Sequence, residues 1–79
     1  MNADLMRMVA HRITRYLREN PTAADTVEGV HIVWVGHDLA HPSLDITQAA
    51  LELLFDEGLV ACVPIGNRLL WRAVRTAAD

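Results

Sequence analysis

Metal binding needs clustered histidine, cysteine or carboxylate side chains. The candidates in this chain are His31, His37, Asp38, His41 and Cys62. His37 and His41 stand four residues apart, the spacing that puts two imidazoles on one helical face. Pro42 follows at once and marks the stretch as a loop. With neither a C-x-x-C nor an H-E-x-x-H pattern present, these histidines read as solvated loop side chains, and no metal or cofactor is expected. Nucleophilic chemistry has no better footing. Ser43 lies in no nucleophile elbow and reads as a turn or cap residue. Cys62 falls mid-strand and reads as a small apolar side chain. No glycine-rich loop follows a strand to cradle phosphate. Asp56 and Glu57 are neighbours on a helix, point in different directions and read as solvated charge. The chain is therefore expected not to be an enzyme and to have no small-molecule substrate, since it leaves little room for a concave pocket.

The charged side chains carry more information. All seven cations are arginine, and the net charge is −3. Nucleic-acid-binding domains are usually basic, because phosphate contacts supply much of their affinity. Residues 46–60 read ITQAALELLFDEGLV, an amphipathic helix stopped by Gly58. Ala50, Leu51, Leu54 and Phe55 form its expected core stripe. Outside that stripe remain Ile46, Gln48, Ala49, Glu52, Leu53, Asp56 and Glu57. A helix reading the major groove needs Arg, Lys, Asn or Gln at base edges and cations near phosphates. Gln48 alone meets that need, and the carboxylates would be repelled. Ile46, Ala49 and Leu53 make a second apolar strip. Either the second helix covers it, or it is exposed and binds another protein.

The arginines allow two readings. Arg7, Arg15 and Arg18 lie on the outer face of the first helix, with Arg12 nearer its apolar edge, and Arg68 and Arg72 lie on the last strand. They are either scattered surface cations paired with the acids of the third helix, or a basic strip formed by the first helix and the hairpin.

Helical spacing of Leu5, Val9, Ile13, Tyr16 and Leu17 predicts a first helix over residues 4–19, ended by Asn20-Pro21. Asp25 and Glu28 match a capping box at the start of a second helix, with Val27, Val30, His31 and Trp34 on one face and Gly36 at its end. The β-branched run over 30–35 also suits a strand; the cap favours helix. Ile32 to Val35 are apolar all round, so at least one of Ile32, Val33 or Val35 is expected to be exposed or covered by a partner. Asp45 and Gln48 match a second capping box for the third helix, and Leu44 is a candidate for a short strand beside the hairpin. Strands over 59–64 and 68–75 flank a Gly66-Asn67 turn of the two-residue hairpin type. Leu69, Trp71 and Ala73 are expected to face the helices.

A leucine-rich third helix ending in Glu-Gly-Leu-Val before a hairpin resembles the winged helix-turn-helix family. The resemblance covers residues 5–75 in element order and is specific over 46–74. It implies a mainly helical α+β fold, three helices followed by a two-stranded antiparallel wing, and, by family habit, DNA binding through the third helix.

Seventy-nine residues, 52% apolar, are expected to form a single domain with its core within about residues 4–75. One cysteine allows no internal disulfide. No signal peptide or membrane span is visible, so a cytoplasmic protein is expected. The preferred expectation is a protein-interaction module: a regulatory subunit, adaptor or inhibitor, or a homodimer. Its interface comprises Ile46, Ala49, Leu53, Glu52 and Asp56 with Ile32, Val33 and Val35. The alternative is a small dimeric DNA-binding regulator using Arg15, Arg18, Gln48, Arg68 and Arg72.

Overall fold

A computed structural model describes residues 3–36 and 42–74. Helix α1 (Ala3–Glu19) forms where apolar side chains recur every three or four residues. Val9, Ala10, Ile13 and Leu17 are buried, while Arg7, His11, Arg15 and Arg18 face solvent. Asp4 in the first turn and Arg18 in the last complement the helix dipole. Asn20 closes the helix by donating to the Tyr16 carbonyl from both its backbone N–H, at 2.8 Å, and its side-chain amide, at 3.0 Å.

The chain then makes a two-residue strand, β1 (Ala24–Asp25), before α2 (Val27–Gly29). The expected Asp25 cap is corrected. Asp25 is paired with Trp71 in the sheet, so Thr26 is the first residue free to cap, and its hydroxyl accepts from the Gly29 N–H at 3.3 Å. Asp25 instead accepts from the Thr26 N–H at 2.8 Å.

Helix α2 continues as a π-helical segment over Val30–Val35, which settles the helix-or-strand alternative in favour of helix. A π-helix bonds residues five apart, a wider turn than the α-helix. That spacing puts Val30 and Val35 on the same inward line. Val35, expected to be available to a partner, is fully buried, and its carbonyl accepts from Arg12 Nη1 at 3.2 Å. Ile32 and Val33 turn outward, 55% and 54% exposed.

Helix α3 (Leu44–Asp56) is capped by Ser43, not by Asp45: the Ser43 hydroxyl accepts from the Ile46 N–H at 3.3 Å. Asp45 lies inside the first turn, where a carboxylate favours the positive helix end. Leu44 opens this helix rather than forming a strand. The buried line is Thr47, Ala50, Leu51 and Leu54. Because Thr47 extends it on one side, the inward arc rotates away from Phe55, which is 52% exposed and not part of the core stripe. The end is a Schellman motif: Leu59 N–H donates to the Leu54 carbonyl and Gly58 N–H to that of Phe55. Gly58 takes φ of 77°, the left-handed conformation this closure requires.

Strands β2 (Val60–Ile65) and β3 (Arg68–Ala73) pair antiparallel around Gly66-Asn67, with Gly66 at φ 61°. The sheet has three strands, in the order β1-β3-β2, and not the two of the expected wing. The third comes from residues 24–25, before α2, rather than from Leu44. Register pairs Val60 with Ala73, Cys62 with Trp71 and Pro64 with Leu69. Trp71 and Val60 are buried, and Cys62 and Ala73 pack against the core. Leu69 shares this inward face, as expected, but is 54% exposed, bordering an open groove beside Glu28 and Gln48 rather than the sealed core. The other face carries Ala61, Val63, Ile65, Arg68, Leu70 and Arg72.

Among the described residues the fold is thus α+β and mainly helical, with three helices and a three-stranded antiparallel sheet. Its core joins α1, the π segment, α3 and the inner sheet face. No helix among the described residues is long and apolar enough to cross a membrane.

Candidate interaction surface

With Thr47, Ala50, Leu51 and Leu54 inward, the 100° step of the helix puts Asp45, Glu52 and Asp56 on the opposite side of α3. All three are exposed. Ile46 and Leu53 border this acidic face on one side, and Gln48 and Phe55 on the other. Ile46 is half-buried and packs against the core, so the expected second apolar strip is partly sealed within the monomer. Ala49 and Leu53 are half-buried. Gln48, the one residue of α3 suited to reading a base, donates its amide N–H to Glu52 Oε2 at 2.8 Å.

The exposed pair Ile32 and Val33 is tied to α3 through a contact between His31 and Thr47. Thr47, 0% exposed, places its hydroxyl 2.7 Å from Nδ1 of the half-buried His31. A buried hydroxyl without water needs such a partner. His31 thereby fixes the π segment against α3. The sequence did carry a signal: Thr47 continues the spacing of Ala50, Leu51 and Leu54 by one turn toward the N-terminus. On the far side of the π segment, Trp34 stacks on Tyr16 of α1, with centroids 5.2 Å apart and planes 11° from parallel. The Ile32–Val33 edge is therefore held from both sides.

The arginines divide among separate places. Arg68 and Gln48 border one open groove of about 480 Å³, together with Glu28, Asn67, Leu69 and Trp71. Arg15 borders a second, of about 240 Å³, beside Arg12, Tyr16 and Trp34. Arg72 borders a third, of about 80 Å³, beside Pro21 and Thr22. Arg18 is exposed at the end of α1. Arg15 pairs with Glu19 of its own helix at 3.8 Å, both side chains 64% exposed, a contact that contributes little to stability. Of the five residues considered for nucleic acid, the structure thus brings Gln48 and Arg68 to one groove and sets Arg15 and Arg72 at others.

His31 is engaged with Thr47, and Cys62 packs against the core. His37, Asp38 and His41 lie outside the described residues. Among the described residues no group of three or more His, Cys, Asp or Glu side chains is placed to hold a metal. No protein-family model, curated protein or solved structure matches the chain.

Proposed function

We propose that this chain is a winged-helix domain that binds protein and performs no catalysis, serving as a regulatory subunit, adaptor or inhibitor. The observation that carries the reading is the outward face of α3. Where a DNA reader presents cations, this helix presents Asp45, Glu52 and Asp56, and Glu52 occupies the amide of Gln48 at 2.8 Å. Apolar side chains accompany the acids: Leu53 borders them on α3, and Ile32 and Val33 are more than half exposed on the π segment, which is joined to α3 through His31 and Thr47. Exposed aliphatic side chains rimmed by charge suit the centre of a protein interface. The interface therefore shifts from the strip first expected: Val35 drops out, Ile46 contributes an edge, and Ile32 and Val33 remain as exposed apolar members. The α3-then-hairpin order supports the winged-helix assignment, with β1 adding a strand to the wing.

A second reading keeps one supporting observation. Gln48 and Arg68 share a groove, which would let the hairpin tip approach a nucleic-acid backbone.

Capture from the native host's extract on the immobilised chain tests the first reading. The wild type is expected to retain a saturable protein partner, and Ile32→Asp and Leu53→Asp to lose it, Ile32→Asp while melting as wild type and Leu53→Asp with some loss of stability, since Leu53 is half-buried. Ile32 is mostly exposed, so its variant separates binding from folding. Undiminished capture by both folded variants would remove the surface assignment.

A further inference from the structure

We infer that the partner of the acidic α3 face is a second copy of this chain, docked through the outer face of its β-sheet. The inference rests on the protein-binding reading and names the partner. Pleating sends Val60, Cys62, Trp71 and Ala73 into the core and leaves Ala61, Val63, Ile65, Arg68, Leu70 and Arg72 on the other side. A sheet face turned to water is normally polar. This one has five apolar side chains, counting Ala24 of β1 opposite Arg72, and two cations, and no carboxylate of the described strands shares it. Asp25 pairs with Trp71 and so belongs to the opposite face.

Helix α3 is the complement, with three carboxylates bordered by Ile46 and Leu53. Arg68 and Arg72 are four residues apart on a strand, about 13 Å at ~3.3 Å per residue. Asp45 to Glu52 spans about 10 Å of helix, and Asp45 to Asp56 about 16 Å, at ~1.5 Å per residue. Long arginine side chains close differences of that size. A polyanion is a poorer match, because among the described residues of the strands two cations line this face, and the chain carries a net −3. Pairing along the sheet edge is a poorer route as well: β2 is an edge strand, and Pro64 gives it one donor fewer.

Two complementary patches on one molecule associate head to tail, or reciprocally in a dimer. The sheet face measures roughly 20 Å by 10 Å from strand rise and spacing. That is well below the ~800 Å² per partner typical of a stable complex. The association is therefore weak, dependent on concentration and weakened by salt.

Sedimentation equilibrium over a concentration and salt series tests this, on the wild type and on two charge-reversed chains, R68E/R72E and E52R/D56R. The average mass of the wild type is expected to rise with concentration and fall with salt. Each reversed chain alone should stay monomeric. Their equimolar mixture should regain the wild-type mass, because the acidic sheet of one meets the cationic helix of the other. Thermal melts check that each chain is folded; Arg72 is half-buried, so R68E with E52R is the pair to use if R72E unfolds. A wild type monomeric throughout, reversed chains that still associate, or a mixture that does not recover would each overturn the inference. Saturable binding of random-sequence duplex lost in R68E/R72E would overturn it too, by giving the sheet face to nucleic acid. Capture of a host protein that still depends on Ile32 and Leu53, with the chain itself monomeric, would overturn self-docking while leaving the protein-binding reading in place.

Discussion

Replacing Thr47 with valine should destabilise the fold by about 1 kcal/mol, although the two side chains are nearly the same size. Thr47 is wholly buried, and its hydroxyl lies 2.7 Å from His31 Nδ1. Valine removes that hydrogen bond, worth roughly 0.5–1.5 kcal/mol net, and strands the ring nitrogen, a penalty of up to ~3 kcal/mol where water is excluded. His31 is only half-buried, so water recovers part of the second loss. The extra buried methyl returns about 0.8 kcal/mol. The balance is about 1 kcal/mol, a fall in melting temperature of roughly 4–8 °C for a domain this small. Thermal and urea unfolding of Thr47→Val, His31→Ala and the double variant form the assay. A coupling of at least ~0.5 kcal/mol is expected for residues in contact. Because the bond positions the π segment, Thr47→Val should also weaken partner capture through Ile32 and Val33. Additivity within ~0.3 kcal/mol, the behaviour of independent sites, would refute the idea that His31 and Thr47 anchor this surface.

Three further outcomes follow from the same geometry. Ser43→Ala should destabilise by about 1 kcal/mol, the usual loss for an N-cap, and Asp45→Ala by only ~0.3 kcal/mol from the helix dipole; urea unfolding in which Asp45 proves the more important would contradict the observed cap. Gly58→Ala should destabilise by about 1–2 kcal/mol, since the left-handed conformation alone is penalised and no atom lies within 4 Å of the added methyl; an unchanged denaturation midpoint would contradict the Schellman closure. Ile32→Ser with Val33→Ser should leave the melting temperature within a few degrees of wild type, as surface substitutions do, while abolishing capture.

Much of the fold was legible because strong local signals agreed. Regular apolar spacing marked α1, and Gly58 and Gly66-Asn67 marked the closure and the hairpin turn. The misses came where tertiary contacts chose between local options. Asp25 and Thr26 are both good caps, and pairing of Asp25 with Trp71 left the role to Thr26. Ser43 and Asp45 posed the same choice two residues apart. A two-residue strand such as β1 carries no periodic signal at all. An assumed α-helical period misplaced Val35, because the π segment aligns residues five apart. Phe55 was drawn inward by hydrophobicity alone, although Thr47 had already turned the helix. The acidic outer face of α3 was readable in advance. Its anchoring by His31 and Thr47 was not, since a histidine and a threonine sixteen residues apart show no pairing until folded.

The most direct measurement is the affinity of the protein for a fluorescent random-sequence duplex across a salt series. An α3 face bearing Asp45, Glu52 and Asp56 predicts no saturable binding even at low salt. Tight binding that falls steeply as salt rises, and that Arg68→Ala abolishes, would contradict the claim that this surface is made for protein.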